Sequence, residues 1–235
     1  MNVDHGISRQ RLHQRPLEEG NHRGQWTRIP LRWKAFFALL LTALTAHAEP
    51  PAPETWRVWL EPRFMHQPVT KPIQDAEKTV LAAGTLNGDV LEPLAKDDLA
   101  KLGATWESFA EQARTNAAAD LAQLKPEYTR NKKKIIEYAE IRSTKPIVAT
   151  AVLAPGFRTL FEETLGPEIL VVVPNQNVAY VFPKLASNYR EYTAIVQAAY
   201  RENAHPVSME VLEITAAGMR TIGAYPNPRT EGVQQ

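Results

Sequence analysis

Near the C-terminal end, His205, Ser208 and Glu210 place an imidazole, a hydroxyl and a carboxylate within six residues of one another. These are the parts of a nucleophilic hydrolase or transferase: a base takes the hydroxyl proton and an acid orients the base. His-x-x-Ser is a short signal, and no oxyanion motif accompanies it. Such a site would have to be assembled by the fold. A second reading is available for His205, which precedes Pro206 where a helix is predicted to end. A protonated imidazole there meets the negative end of the helix dipole.

Asn175, Gln176 and Asn177 follow the apolar run ILVVV at 169–173. Amides at the end of a central strand can bind a small polar ligand. Asn is also at home in turns, because it tolerates left-handed backbone geometry. Trp59 is predicted to face away from Trp56 and Val58, which makes it the candidate exposed aromatic contact. That reading fails if both faces of its strand are covered.

Other polar groups have plainer explanations. Asp97 and Asp98 are adjacent, point apart around a helix, and fit first-turn charges that offset the dipole. Glu162 and Glu163 read as a solvated helix face. The basic run RNKKK at 130–134 reads as a solvated loop before a strand. Cysteine is absent, and only His66 and His205 lie beyond residue 48, so no metal or cofactor site is expected. Met65 beside His66 supplies too few ligands for copper.

The elements that would position these groups begin after a leader. Arg28, Arg32 and Lys34 precede the apolar core AFFALLLTALTA at 35–46. Ala46-His47-Ala48 is a small-x-small cleavage site, and Pro50, Pro51 and Pro53 follow. The core is shorter than the ~18 apolar residues of a membrane-spanning helix. The expectation is therefore a secretory signal peptide cut after Ala48, with no stable membrane insertion afterwards and a periplasmic or secreted destination. Residues 1–30 read either as a long polar n-region or as the product of a misplaced start, with translation beginning near Leu31.

Cleavage changes the charge. Of 27 basic and 26 acidic side chains, seven and three lie in 1–48, so the mature part carries 20 and 23, a net −3. A mildly acidic domain has no electrostatic case for general nucleic-acid binding.

Residues 55–64 alternate as a half-buried strand within an extended lead-in, 49–74. Asn87-Gly88-Asp89 marks a turn. Residues 97–102 read as a short helix and 105–124 as a longer one, capped by Thr105, with Phe109, Ala113 and Ala117 on one face. Strands are expected at 135–141 and 147–153, and a helix from Pro155-Gly156 to Leu165. A hairpin is expected over 169–182, then a helix over 187–203 capped by Ser187 or Asn188, and a last hairpin over 207–224 before a frayed tail. This order predicts an α+β fold: a mixed, mostly antiparallel sheet with about three main helices packed on it, forming one domain over 75–225.

Three runs in that order resemble a known family: DDLAKLGATWESFAEQARTN at 97–116, EILVVVPNQN at 168–177 and HPVSMEVLEITAAGMR at 205–220. With the helix over 187–203 they look like the YtpQ-like family of bacterial proteins of unknown function, over roughly 75–225. The resemblance implies one α+β domain and carries over no catalytic residue. The chain departs from the family in its 49–75 segment and in its leader. The functional expectation is a non-catalytic binding or interaction domain of the cell envelope. It would engage another envelope protein or a small polar ligand through Asn175, Gln176, Asn177 or Trp59. The alternative is a hydrolase or transferase built on His205, Ser208 and Glu210.

Overall fold

The computed structural model describes residues 50–185 and 188–227. The leader, the cap at Ser187 and the tail from 228 lie outside the described residues. The fold class is α+β, built on two antiparallel sheets rather than one mixed sheet.

In the first sheet, β3 (Thr79–Asn87) is central. It pairs along its length with β1 (Trp56–Pro62). Its other edge is shared by β2 (Thr70–Pro72) and β4 (Val90–Pro93). The sheet therefore begins inside the predicted lead-in. Gly88, at φ 59°, supplies the left-handed step between β3 and β4, where the turn was expected. The second sheet runs β10 (Gly218–Ala224), β9 (Glu210–Thr215), β7 (Ile169–Asn175), β8 (Val178–Pro183), β6 (Ile136–Arg142), β5 (Glu127–Arg130). Its neighbours are all antiparallel. The one parallel contact among the described residues is an isolated bridge between Gln74 and Arg220.

Among the described residues five α-helices follow in chain order: α1 (Asp98–Lys101), α2 (Trp106–Leu121), α3 (Val148–Ala151), α4 (Phe157–Leu165) and α5 (Thr193–Glu202). Thr105 caps α2 as expected. Its hydroxyl accepts from the Ser108 amide at 3.2 Å, and the Ser108 hydroxyl accepts from the Thr105 amide at 3.0 Å. The strand expected at 147–153 is instead the short helix α3, all four residues of which are buried. A continuous apolar run signals burial, and by itself does not separate a strand from an enclosed helix. The helix expected from 187 begins later, after a 3-10 turn over Tyr189–Tyr192.

The largest core cluster joins Trp59, Ile141, Phe157, Phe161, Val171 and Val181 between the sheets and helices. Trp59 is 1% exposed, so it is no surface contact. Both sides of its strand are covered. Its Nε1 donates to Glu61 Oε2 at 2.7 Å, and its ring occupies the space left by Gly84, where a Cβ would come within 2.6 Å of it.

Candidate functional site

The structure separates the expected hydrolytic trio. His205 is exposed; its backbone amide donates to Asn203 Oδ1 and its carbonyl accepts from Gln176. Ser208 is buried, its hydroxyl 2.5 Å from that of Thr79 and accepting from the Glu210 amide at 3.0 Å. Glu210 is buried as well. Its Oε1 accepts from the backbone amides of Glu77 and Lys78 at 2.8 and 3.0 Å, strapping that loop to β9. Its Oε2 has no partner among the described residues. The hydroxyl and the carboxylate are thus tied into the packing, while the imidazole borders a different depression.

That depression, of about 240 Å³, brings together His205, Gln176, Asn177, Asp89 and Thr144. Most of the amide chemistry there is already committed. Asn175 is buried, donates to the Ala199 carbonyl at 2.7 Å and accepts from the Asn177 amide at 2.9 Å. Asn177 donates to the Ser143 carbonyl at 3.1 Å and accepts from Asn203 at 3.1 Å. These bonds build the β7–β8 turn. Gln176 keeps its side-chain amide out of this network.

A larger cleft, of about 340 Å³, lies where five segments meet. The turn after β1 brings Arg63, Phe64 and His66, and the loop before β3 brings Lys78. Helix α5 contributes Tyr200; the approach to β9 contributes Val207 and Met209; the residue after β10 is Tyr225. Its volume falls within the range of ordinary small-molecule sites, and its lining follows the same plan of apolar walls with a few polar groups. Phe64 is 62% exposed, an aromatic ring left in water beside an apolar hollow. Arg63, His66 and Lys78 are exposed, and Glu77 is the one carboxylate among the lining residues.

Tyr225 fixes one wall. Its hydroxyl donates to the Tyr189 carbonyl at 2.7 Å, and its amide donates to the Met209 carbonyl at 2.8 Å. Burial pushes its phenol well above the ordinary range, so it stays a proton donor at physiological pH. The left-handed backbone at His66, φ 51°, turns the chain back toward β2 and sets Arg63 and Phe64 at the cleft. Arg63 is steadied by a 3.0 Å bond to the Ala76 carbonyl.

Sequence reasoning named none of this cleft's residues as a site except Ser208. The one local sign was Phe64, an aromatic residue at the very end of a predicted strand. Among the described residues, no group of three or more His, Cys, Asp or Glu is placed to hold a metal, and no helix is long and apolar enough to cross a membrane.

Fold and cleft together define an α+β domain with an aromatic, cation-bordered hollow between its two sheets. Comparison with protein-family models, curated proteins and solved structures finds no match to this chain.

Proposed function

We propose that the chain is an exported binding domain whose cleft takes a small amphipathic anion: a carboxylate, or a similar acid, on an apolar body. The observation that carries this reading is the pairing of an apolar hollow, walled by Tyr200, Tyr225, Met209 and Val207, with Arg63, His66 and Lys78 on the same cleft. The apolar body would be driven in by loss of water-exposed surface, and would cover Phe64 as it entered. The acid group would meet Arg63 and Lys78. Export rests on the leader sequence, and kinship with the YtpQ-like family on the three runs that resemble it.

The experiment is a thermal-shift and calorimetric titration with octanoate and 4-phenylbutyrate beside their methyl esters. A ligand that binds only the folded state raises the melting temperature, by an amount that grows with the logarithm of its concentration relative to the dissociation constant. The acids are expected to bind and the esters not. Lys78→Glu with Arg63→Glu should abolish the difference, and Tyr200→Ala should weaken both acids. Equal shifts with acid and ester, or none at millimolar ligand, would overturn the reading.

A further inference from the structure

We infer that one end of the six-stranded sheet is a membrane-contact surface that rests on anionic phospholipid. The inference does not depend on the cleft. It begins at the β5–β6 connection, where Arg130, Lys132, Lys133 and Lys134 are all exposed. None of the four forms an ion pair among the described residues.

The tip that bears them is held in shape. Asn131 Oδ1 accepts from the amides of Lys133 and Ile135 at 2.9 and 3.1 Å, and the Asn131 amide donates to the Ile135 carbonyl at 2.9 Å. Lys134 sits at φ 63°, in the left-handed region, and the Arg130 guanidinium closes the loop on its carbonyl at 3.0 Å.

Beside these cations stands Ile135, 57% exposed. Strand β6 pairs antiparallel with β8, from Ala139 opposite Val181 to Arg142 opposite Val178. The chain therefore enters β6 at the end of the sheet where it leaves β8. Just past that exit is Leu185, 93% exposed, the most exposed large apolar side chain among the described residues. Two aliphatic tips and four unpaired cations thus share one sheet end.

Glu137, on β6, sets one negative charge against these four positive ones, and two further acidic groups at this end are already held by cations. Glu168 and Glu213 are bound by Lys184, and Glu213 also by Arg220. A cluster of four or more basic residues with isolated apolar tips matches the headgroup region of an anionic leaflet, which attracts the charges and admits the tips. Two aliphatic side chains fall far short of the ~1,200 Å² of a stable protein interface.

The test is co-sedimentation of the exported protein, as the cell processes it, with phosphatidylglycerol–phosphatidylcholine vesicles and with phosphatidylcholine alone. Binding to the anionic vesicles only, weakening with salt, is expected. The triple variant Lys132→Ala, Lys133→Ala, Lys134→Ala should lose about a hundredfold in partition, roughly fivefold per charge. Ile135→Ser with Leu185→Ser should lose several-fold with the charges intact. All these side chains are exposed, so melting curves should match the parent and separate lost contact from lost fold. Equal binding to neutral vesicles, or indifference to the lysine changes, would overturn the inference. So would indifference to the Ile135 and Leu185 changes together with equal affinity for soluble polyglutamate.

Discussion

Arg57 and Asp120 form a two-pronged ion pair in the interior. Nε donates to Oδ2 at 2.8 Å and a terminal guanidinium nitrogen donates to Oδ1 at 3.1 Å. The Thr150 hydroxyl adds a third bond to Oδ2 at 2.9 Å, joining β1, α2 and α3. Removing one partner leaves a buried charge uncompensated, which costs about 3–5 kcal/mol. Asp120→Ala and Arg57→Met should each lower stability by about that much in urea unfolding. Changing both together should cost clearly less than the sum. Single variants within about 1 kcal/mol of the parent would show that water, not Arg57, solvates Asp120.

Glu210 separates a structural role from a catalytic one. Its Oε1 accepts two backbone amides, which a neutral amide oxygen in the same position can also do. Glu210→Gln should therefore keep most of the stability, while Glu210→Ala should lose about 3 kcal/mol, the worth of two bonds to a charged acceptor. Equilibrium unfolding of both variants checks this. If Gln proves as damaging as Ala, the negative charge and not the strap matters at this position.

Glu213 gives the protein a stake in pH. Hydrogen bonds from Lys184 and then Arg220 hold its carboxyl below the ordinary glutamate range. A carboxylate depressed in the folded state contributes stability that is complete above the unfolded pKa, about 4.3. That contribution is lost as pH falls through the folded value. Glu213→Gln should thus be less stable than the parent at pH 7. The two should converge as the pH drops below about 4, as urea midpoints across pH 3–7 would show. A gap that stays constant over that window would remove the ionic explanation.

Much of the frame was legible because its signals are local. The Asn87-Gly88-Asp89 turn, the Thr105 cap and the apolar run at 169–173 each depend on residues within one turn or one strand. What escaped depends on distant partners. Asn116 and Asp120 lie on the buried face of α2 because they meet the Pro53 and Trp56 carbonyls and Arg57, about sixty residues away. Trp59 is inside because β3 offers a glycine where its ring lies. The cleft draws on five separated stretches, and no periodicity in any of them marks the others. His205 and Ser208 are close in sequence, yet the entry into β9 buries one and leaves the other in water.

Gly84 is the counterpart of Trp59. A Cβ there would meet the Glu92 carbonyl oxygen and come within 2.6 Å of the Trp59 ring. The carbonyl belongs to β4, paired with β3 in this register, so it cannot withdraw without opening the ladder. Gly84→Ala should destabilise by about 1–3 kcal/mol as an overpacked site. Trimming Trp59 to Phe should not rescue it, because the backbone contact remains. A melting temperature within about 2 °C of the parent would show that the strands part more readily than this.

The export reading makes a prediction about order of events. Cleavage after Ala48 would leave four residues, 49–52, ahead of Pro53, whose carbonyl accepts from Asn116 Nδ2 at 2.8 Å. Trp56 follows at once, with its carbonyl on the same amide at 2.9 Å and its ring stacked on Phe109 at 4.7 Å. A peptidase needs an extended segment across its site, and in a folded domain the first anchored residue would stand only four residues beyond the cut. Processing should therefore precede folding, as it does for a chain exported unfolded. Mass spectrometry of the envelope fraction should find Glu49 as the N-terminus. Asn116→Ala should free the segment, so that refolded precursor is cut faster in vitro than the parent. Intact leader on soluble cytosolic protein, or equal cutting rates for the two precursors, would contradict this order.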